Sequence, residues 1–587
     1  MNKDQVAEVL QEIGTLLELQ GENPFKTRAY LNAARTIGRL EEPLEAVIAA
    51  GRLGALPGIG AALRDRITEL AATGRLAYYE ELKAAVPAGL RALLEIPGLG
   101  PRKIKALRDA LGIESVAQLE QACREGRVAG LAGFGAKTQA NLLAGIARRQ
   151  SYASYFRLGP ALAAAEPLQA ALRAHPDVIR CDTAGSLRRC REVIGDIDLL
   201  ASSARPARVI ADFIRQPGVA RVLARGETKA SVLLESGMQA DLRVVRDAEF
   251  PAALLYFTGS KEHNVALRQR ALERGLRLNE YGLFRSRAET RDPRRRLPCA
   301  AEAEIFARLG LRYIPPELRE DRGEIPAAEQ GPLPRLVEWT DLQGSLHNHS
   351  NWSDGQQRLE EIARLGRELG LAYWAVTDHS KSSVQAHGLE ARRVRQQTRE
   401  IAALNEQLAR EGAGFRLLTG IEVDILKDGA LDLPDDLLAE LDVVVASVHQ
   451  SLGQPEAEMT RRLIRAAQNP CVHILGHLTG RLLLEREPSA VDARAVIDAC
   501  AETGTWIELN AHPQRLDLDW RHWPYAKSRG VKCAINCDAH RAEHAGFLRL
   551  GAGIARKGWL TREDVVNTLP LDALRQELGR KRARAGL

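Results

Sequence analysis

The sequence predicts a multidomain protein of mixed class, in which a helical N-terminal part precedes an α+β part with a mixed sheet and an α/β part. Three observations predict this order. A Gly-x-Gly motif occurs three times among helix patterns before residue 150, a strand pattern carries Asp196-Ile197-Asp198, and short apolar strands alternate with helices from Gly344 onward. Because 587 residues exceed what one hydrophobic core accommodates, three to five domains are expected.

Composition and charge narrow the class of protein. A hydrophobic fraction of 45% and a charged fraction of 27% are typical of globular proteins. No apolar run is long enough to span a membrane, and the N-terminal pattern is an amphipathic helix rather than a signal peptide. The net charge of +6 and the pI near 8.9 suit a polyanionic partner without requiring one. The eight cysteines form no CxxC pair, which predicts reduced thiols in a cytoplasmic protein.

The Gly-x-Gly motifs occupy residues 56–60, 96–100 and 131–135, and a short amphipathic helix pattern follows each. Glycines in a tight turn free N–H groups at a helix start, where they can bind a backbone phosphate without reading sequence. One such motif could serve helix–turn–helix geometry alone, but three with basic neighbours favour phosphate binding. The third copy has Ala132 where the second has Pro97. The predicted contacts are Gly58, Gly60, Gly98, Gly100, Gly133, Gly135 and the neighbouring Lys103.

The stretch over residues 185–200 carries two chemically distinct elements. A Gly-Ser turn followed by two arginines could hold phosphate. In the apolar run over residues 193–201, Asp196 and Asp198 would share one face of a β-strand. Paired carboxylates beside a phosphate cradle suit two-metal phosphoryl transfer, whereas a chance Asp-x-Asp on an edge strand is the alternative. Asp241 lies in a later strand pattern and could complete a triad, although alone it is better explained as a solvent-facing residue.

A further motif, Tyr256-Phe257-Thr258-Gly259-Ser260, precedes Asn264 and Arg268 on a helix pattern. With the Gly-Ser-x-Arg-Arg and Asp-x-Asp elements, it makes the chain resemble a family X DNA polymerase, related to the eukaryotic polymerase beta, over about residues 1–316. The Gly-x-Gly motifs resemble helix-hairpin-helix motifs, which hold the DNA backbone non-specifically in repair enzymes.

This resemblance implies short gap filling in DNA repair, including base excision repair, with deoxynucleoside triphosphates as substrates and Mg²⁺ or Mn²⁺ as cofactor. The implied metal ligands are Asp196, Asp198 and Asp241, and Asp241 is the nearest candidate base for the primer 3′-hydroxyl. The implied contacts to the incoming nucleotide are Ser186, Arg189, Gly195, Tyr256, Phe257, Gly259 and Asn264. Arg268 would contact the template.

One position departs from the family pattern. Polymerase beta-like enzymes remove a 5′-deoxyribose phosphate with a Schiff-base lysine six residues beyond the second glycine of the first hairpin, where this chain has Arg66. Because arginine stays protonated, it cannot act as the amine nucleophile, and no strong lyase activity is expected at this position. A nearby lysine such as Lys83 is the alternative nucleophile.

The C-terminal part places His, Asp or Glu at six predicted strand ends. A single histidine there is usually structural, but β/α barrels assemble their sites at that face. Imidazoles and carboxylates together suit Zn²⁺, Mn²⁺ or Fe²⁺, and nine such groups are too many for one ion. The candidate ligands are His347, His349, Asp354, His379, Glu422, His449, His477, Asp538 and His540.

Other polar residues of this part are weaker candidates. His473 begins its strand rather than ending it, which favours a structural role. His512 and His544 are better explained as loop residues or as residues beside the ligands. Arg481 and Arg515 follow strand ends, where they could contact a phosphate or form surface salt bridges.

The strand-end pattern closely resembles the polymerase and histidinol phosphatase (PHP) domain over about residues 341–569. The number of candidate ligands predicts two or three metal ions. The resemblance implies a distorted seven-stranded barrel with a trinuclear metal site and, in fusion with a family X polymerase, Mn²⁺-dependent 3′→5′ exonuclease activity. Abasic-site cleavage is implied for some relatives. Two alternatives keep the polymerase but make the barrel a small-molecule phosphatase or a structural DNA-binding arm. The expected partners are DNA and deoxynucleoside triphosphates, and a monomer at the bacterial nucleoid is expected.

Residues 317–342 contain Glu, Arg, Pro and Gly with few apolar residues, which predicts an exposed linker. The predicted domains are a helical DNA-binding domain (1–85), fingers with two helix-hairpin-helix motifs (86–150), a nucleotidyltransferase palm (151–250), a thumb (251–316), the linker (317–342) and the PHP barrel (343–575).

Overall fold

The computed structural model of the protein describes residues 1, 3–38, 40, 43–96, 98–152, 154–285 and 291–584. The chain forms two compact units, Met1–Ala153 and Ser154–Leu587. Pro97 of the second Gly-x-Gly motif lies outside the described residues. Within the described ranges, no helix combines the length and apolar character needed to cross a membrane.

The first unit is helical and has a hydrophobic core of its own. Its first helix buries Val6, Leu10 and Ile13, all 0% exposed, because these apolar residues recur at helical spacing along one face. The helices of this unit are Lys3–Gln20, Pro24–Gly38, Leu44–Ala49, Ala61–Thr73, Ala77–Ala85, Ala88–Leu93, Pro101–Leu111, Val116–Arg124 and Ala136–Tyr152.

The second unit begins with the palm. Its strands are β1 (Phe156–Arg157), β2 (Arg180–Thr183), β3 (Val193–Ile194), β4 (Asp196–Ser202), β5 (Val219–Arg225), β6 (Lys229–Leu234) and β7 (Gln239–Val245). Five of them form a sheet in the order β2-β4-β7-β6-β5, in which β4 and β7 run parallel and the other neighbours antiparallel. The predicted mixed sheet is therefore confirmed. The run over residues 193–201 is two strands, because β3 pairs with β1 before Gly195 and β4 joins the larger sheet after it.

Helices surround this sheet and lead into the thumb. They are Leu158–Ala174, Gly185–Arg188, Pro206–Phe213, Phe250–Thr258, Lys261–Glu273 and Glu302–Arg308. The thumb adds three short antiparallel strands, β8 (Arg277–Asn279), β9 (Gly282–Phe284) and β10 (Arg296–Leu297).

Residues 317–342 are not the exposed linker that the composition predicted. They contain the helix Glu324–Gln330, and Leu336 and Val337 are buried at 4% and 0% exposure. Arg319 is also 0% exposed and donates a 2.6 Å hydrogen bond to Glu302 of the thumb. The prediction failed because a few apolar residues and one paired charge suffice to dock this segment, although its overall composition is polar.

The C-terminal part forms a nearly closed parallel barrel, which confirms the predicted architecture. Its strands, in chain order and in sheet order, are β11 (Gly344–Ser345), β12 (Tyr373–Val376), β13 (Arg416–Asp424), β14 (Val443–Ser447), β15 (Ile474–Leu475), β16 (Trp506–Asn510) and β17 (Cys533–Asn536). The ring is completed beyond the strand ends, where Asp538 N–H donates to His347 O at 3.1 Å and His349 N–H donates to Ala539 O at 2.9 Å.

Helices alternate with the barrel strands and cover them. They are Leu359–Glu368, Ala391–Arg410, Asp435–Ala439, Glu456–Gln468, Ala493–Thr503, Trp523–Ser528, Leu548–Lys557 and Leu571–Arg584. Palm and barrel share one continuous apolar core, to which Leu158 and Ile194 belong on the palm side and Leu548 on the barrel side. A Cβ at Gly159 would lie only 3.1 Å from the Pro513 ring. The palm therefore packs directly on the barrel.

Candidate active sites and nucleic-acid interface

The palm brings its three predicted carboxylates to one edge of the sheet. Asp196 and Asp198 project from the same face of β4, while Ile197 between them is 0% exposed on the opposite face. Strand β7 runs parallel to β4, and its register places Asp241 directly beside Asp198. The triad that the sequence left as an open possibility is thus assembled by one strand pairing.

These carboxylates repel one another. Burial, together with the charges of Asp196 and Asp241, raises the pKa of Asp198 to about 7. Burial also raises the pKa of Asp241, but hydrogen bonds from Lys229 and Gln239 outweigh it and lower that pKa. The Lys229 ammonium lies 2.9 Å from the Asp241 carboxylate. An all-oxygen set with uncompensated negative charge fits hard divalent cations such as Mg²⁺ or Mn²⁺.

The Gly-Ser segment approaches these carboxylates closely. It forms the first turn of the short helix Gly185–Arg188 rather than a free turn. Gly185 has φ +59°, and a Cβ there would lie 2.0 Å from Asp198 Oδ2, so only glycine fits. Ser186 is the next residue of this turn. Gly195 separates β3 from β4 beside the exposed ring of Tyr155.

The Tyr256–Gly259 segment lies at the C-terminal end of the helix Phe250–Thr258. The rings of Tyr256 and Phe257 meet edge to face at 5.1 Å. Asn264 donates a 2.7 Å hydrogen bond to the Tyr256 carbonyl, which links the helix Lys261–Glu273 to this segment. Arg268 lies one turn further and donates to the Asn264 carbonyl at 3.3 Å.

Sequence reasoning missed two basic residues of this site. Lys229 pairs with Asp241, and Arg243 stacks on the Phe257 ring at 4.5 Å. The strand register places Lys229 opposite Arg243. The available signal was alternation, because Arg243 lies two residues after Asp241 and must face the same side of β7.

The barrel brings all nine predicted ligands into one cluster around Glu422. The Glu422 carboxylate lies 3.3 Å from His347 Nε2, 2.8 Å from His379 Nδ1, 3.3 Å from His449 Nε2 and 3.0 Å from His477 Nε2. Further contacts include Asp538 to His349 at 3.1 Å and Asp354 to His540 at 3.4 Å. Seven of the nine residues, all except His477 and Asp538, form three overlapping sets with metal-binding spacing.

Burial and unpaired atoms argue that this cluster holds metal ions. His347, His349 and Glu422 are at most 2% exposed. His349 Nδ1 and His477 Nδ1 have no hydrogen-bond partner although they are buried. An unsatisfied buried imidazole or carboxylate is costly, and a divalent ion would satisfy several at once. The donor set therefore fits Zn²⁺, Mn²⁺ or Fe²⁺.

Two carboxylates that the sequence did not single out contact two of the predicted ligands. Glu508 Oε1 lies 2.7 Å from His347 Nδ1, and Asp424 Oδ1 lies 2.7 Å from His449 Nδ1. In a metal site, such contacts would fix which imidazole nitrogen faces the ion. Burial lowers the pKa of His347, but Glu508 and Glu422 outweigh it and raise that pKa well above its usual value. Glu508 lies on β16, the one barrel strand whose end had supplied no predicted ligand.

The weaker candidates separate into two groups. Arg481 is only 8% exposed and binds Asp519 at 2.7 Å and Glu192 of the palm at 3.3 Å, so it is neither a phosphate contact nor a surface salt bridge. Arg515, by contrast, lies 3.6 Å from Asp538 and borders the cluster. His473 accepts a 3.0 Å hydrogen bond from Val444 N–H at the opposite strand end, as a structural role requires.

The first two Gly-x-Gly motifs have the same backbone conformation, and the third differs at its second glycine. The first glycines Gly58, Gly98 and Gly133 have φ values of +80°, +83° and +84°. Gly60 and Gly100 are extended and cap the helices Ala61–Thr73 and Pro101–Leu111. Gly135 instead has φ +96°, so the third copy departs in its backbone as well as its sequence. Lys103 folds back onto the Gly98 carbonyl at 3.0 Å.

Fold and sites together define a polymerase-like nucleotidyltransferase joined to a histidine-rich phosphoesterase barrel. Family models match four segments: a helix-hairpin-helix domain over residues 1–76, a SAM-like helix-hairpin-helix tandem over 90–148, a DNA polymerase beta thumb over 253–320 and a PHP domain over 345–512.

Similar proteins cover the whole chain or the barrel. The DNA polymerase/3′-5′ exonuclease PolX of Bacillus subtilis (strain 168) is 38% identical over 573 residues, which is 97% of this chain and 98% of that protein. A probable phosphatase of Thermoanaerobacter sp. (strain X514) is 29% identical over 238 residues, 39% of this chain and 90% of that protein. The chain therefore belongs to the PolX family of family X DNA polymerases with a C-terminal PHP domain.

Proposed function

We propose that this protein is a DNA-directed DNA polymerase that fills short gaps during DNA repair and carries its own 3′→5′ exonuclease in the barrel. The observation that carries the proposal is the register of β4 and β7, which sets Asp241 beside Asp198. The full-length similarity to the Bacillus subtilis protein supports the pairing of both activities in one chain.

In the palm, Asp196, Asp198 and Asp241 hold divalent ions. When bound, such ions activate an attacking oxygen and neutralise phosphate charge at both proposed sites. Asp241, kept ionised by Lys229, accepts the proton of the primer 3′-hydroxyl. Ser186, the Gly195 N–H and Arg189 bind the triphosphate. These three residues lie on the same chain segment, residues 185–198, as Asp196 and Asp198.

The remaining palm and thumb residues select the substrate. Tyr256, Phe257 and Gly259 form a wall against the sugar, where a ribose 2′-hydroxyl would clash. Asn264 and Arg268 contact the nascent pair and the template strand. The glycine turns and Lys103 of the first unit hold the DNA backbone.

In the barrel, Glu422 and the eight residues around it would hold two or three ions, and Glu508 and Asp424 would keep two of the imidazoles oriented toward those ions. Arg515, beside Asp538, contacts the scissile phosphate. The substrates are DNA 3′ ends, and abasic sites are a second class of substrate. A monomer acting at the nucleoid is the expected form.

A paired substitution experiment tests this assignment. Asp196→Ala is expected to abolish extension of a gapped primer while sparing digestion of labelled single-stranded DNA, and Glu422→Gln is expected to do the reverse. If both variants retain digestion, the nuclease assignment to the barrel fails.

A second candidate for the barrel is a phosphatase for small monoesters, because its relatives include proteins named probable phosphatases. Release of inorganic phosphate from histidinol phosphate, with no digestion of DNA, would favour this candidate. A purely structural DNA-binding arm would show neither activity.

No strong 5′-deoxyribose-phosphate lyase activity is proposed at Arg66. Its guanidinium stacks on the Tyr78 ring at 3.7 Å, and Lys83 is bound to Tyr79 at 3.1 Å. Borohydride trapping on an incised abasic site measures Schiff-base formation, and efficient trapping would contradict this proposal.

A further inference from the structure

A barrel lysine reaches into the palm. Lys557 is the last residue of the helix Leu548–Lys557, and it is 1% exposed. Its ammonium donates to Glu320 Oε1 at 2.6 Å, to the Arg189 carbonyl at 3.0 Å and to the Glu317 carbonyl at 3.2 Å. An ammonium has three N–H donors, so all of them are used within this contact.

Glu320 links Lys557 to Arg189, the proposed triphosphate contact. Its carboxylate accepts a 3.1 Å hydrogen bond from Arg189 Nε, and it is 9% exposed. The other side of the same guanidinium donates to the Thr258 carbonyl. A Cβ at Gly259 would lie 3.0 Å from Arg189 Nη1, so the guanidinium rests directly against the sugar wall.

The charges in this group leave Arg189 able to bind an anion. One carboxylate, Glu320, is shared by Lys557, Arg189 and Arg191, whose Nη1 lies 3.5 Å away. Three cations around one carboxylate keep the group positive. The groups around Arg189 are Lys557, Arg191 and Glu320, and together they carry one net positive charge. Without Lys557 that net charge would fall to zero, and Glu320, which holds the Arg189 guanidinium, would lose its own anchor.

Arg189 belongs to the palm loop over residues 189–192, and this loop contacts the barrel at a second point. Glu192 is 5% exposed and accepts from Trp520 Nε1 at 3.1 Å and from Arg481 at 3.3 Å. The Lys557 ammonium lies over the Trp520 ring at 4.6 Å. The palm loop between the short helix Gly185–Arg188 and β3 is therefore held from the barrel side at both ends.

We propose that Lys557 is a positioning residue for nucleotide binding: through Glu320 it fixes the Arg189 guanidinium where the triphosphate arrives. The inference rests on the proposed role of Arg189 as a triphosphate contact. It makes nucleotide affinity at the palm depend on the barrel, so that the barrel contributes to synthesis as well as to degradation.

The test is steady-state gap filling by Lys557→Met in the full chain. The KM for deoxynucleoside triphosphate is expected to rise about tenfold, as for the loss of one charge-assisted contact, while kcat changes less than about twofold. Exonuclease activity is expected to be unchanged. The matched control is Lys581→Met, which removes another buried barrel lysine that binds the Ala467 and Val472 carbonyls and Thr505. This control is expected to leave the nucleotide KM unchanged.

A thermodynamic cycle with Arg189→Ala separates the inference from the proposed function. In the Arg189→Ala background, Lys557→Met is expected to raise the KM no further. If Arg189→Ala itself leaves the KM unchanged, the triphosphate role of Arg189 fails. If Arg189→Ala raises the KM but a folded Lys557→Met does not, or if the two effects add, only the positioning role fails.

A second variant keeps the test decisive if Lys557→Met does not fold. Glu320→Asp preserves every charge but shortens the side chain, so it cannot contact Lys557 and Arg189 together. A raised nucleotide KM in this variant is expected because position, not charge, has changed. An unchanged KM overturns the proposal.

Discussion

The palm site and the barrel site handle charge in opposite ways. In the palm, three carboxylates lie side by side, and the Lys229 ammonium forms an ion pair with Asp241. In the barrel, three carboxylates are interleaved with six histidines, and Glu422 alone lies within 3.3 Å of four of them. The palm cluster is electrostatically incomplete without its ions, whereas the barrel cluster is partly balanced by its own side chains.

This difference follows from how each site is built. The palm triad depends on one parallel strand pair, with Asp196 and Asp198 on β4 and Asp241 on β7. The barrel ligands come from the ends of many strands, so each is anchored separately. Replacing one carboxylate of the palm triad is therefore expected to abolish nearly all polymerisation. Replacing one of the nine barrel residues is expected to reduce exonuclease activity less, because eight other residues remain in the cluster.

The largest expected effect is at the palm. Asp198→Asn removes a carboxylate charge without changing shape, and polymerisation is expected to fall by about 10³-fold or more, equivalent to about 4 kcal/mol. Primer extension on gapped DNA measures it, and exonuclease activity on the same preparation should be normal. Asp182→Asn is the control, because Asp182 lies on the neighbouring strand β2 and pairs in register with Leu200 rather than with a residue of the triad. A loss below tenfold would contradict the assignment of Asp198 as a metal ligand.

A smaller loss is expected at the barrel. His347→Ala removes one of nine clustered groups, and exonuclease activity is expected to fall by about 10²-fold with polymerisation retained. His473→Ala is the control, since His473 is also a buried barrel histidine, but at the other end of its strand. Digestion of labelled single-stranded DNA, corrected for the folded fraction, compares the two variants. Equal losses in both would mean that the effect is one of stability.

The sequence predicted the ligands themselves better than what holds them. All nine candidate ligands could be picked out because they follow apolar strand patterns, and strand ends of a β/α barrel meet at one face. Glu508 was missed because a glutamate inside an apolar strand shows no pattern until its partner His347 is known, 161 residues away. Asp424 was missed because it also lies in an apolar strand, and its role is apparent only from its contact with His449.

The packing of palm on barrel was equally hidden. Arg481 and Glu192 are 289 residues apart in the chain, and neither has a neighbour in sequence that predicts their contact. Residues 317–342 were predicted to be exposed because their composition is polar, yet Arg319 is fully buried against Glu302. Composition reports average exposure, whereas docking is decided by a few specific pairs.

The pH dependence of metal use should differ between the sites. Burial and the neighbouring carboxylates raise the pKa of Asp198 to about 7, so below that pH a proton competes with the metal. The Mg²⁺ concentration for half-maximal polymerisation is expected to rise about tenfold per pH unit below 7 and to level off above it.

At the barrel, the metal concentration for half-maximal exonuclease activity is expected to depend on pH up to a higher pH than at the palm. Burial lowers the pKa of His449, but Glu422 and Asp424 outweigh it and raise that pKa to about 10. Metal binding must displace this proton, so the metal requirement of the exonuclease is expected to keep falling as pH rises through about 9. Metal titrations of both activities at a series of pH values measure the contrast. Parallel curves for the two activities would show that the two clusters do not differ in this way.

The smallest expected effect is at the proposed DNA-backbone contacts of the Gly-x-Gly motifs, which belong to neither the palm cluster nor the barrel cluster. Lys103→Ala removes one basic residue beside the second glycine turn, and the KM for gapped DNA is expected to rise about threefold with the nucleotide KM unchanged. The slope of log affinity against log salt should become shallower by about one unit, because one phosphate contact is lost. Lys105→Ala is the control on the same helix, since Lys105 is already paired with Asp109. An unchanged salt slope in Lys103→Ala would show that Lys103 makes no phosphate contact, and the comparison of the two clusters would be unaffected.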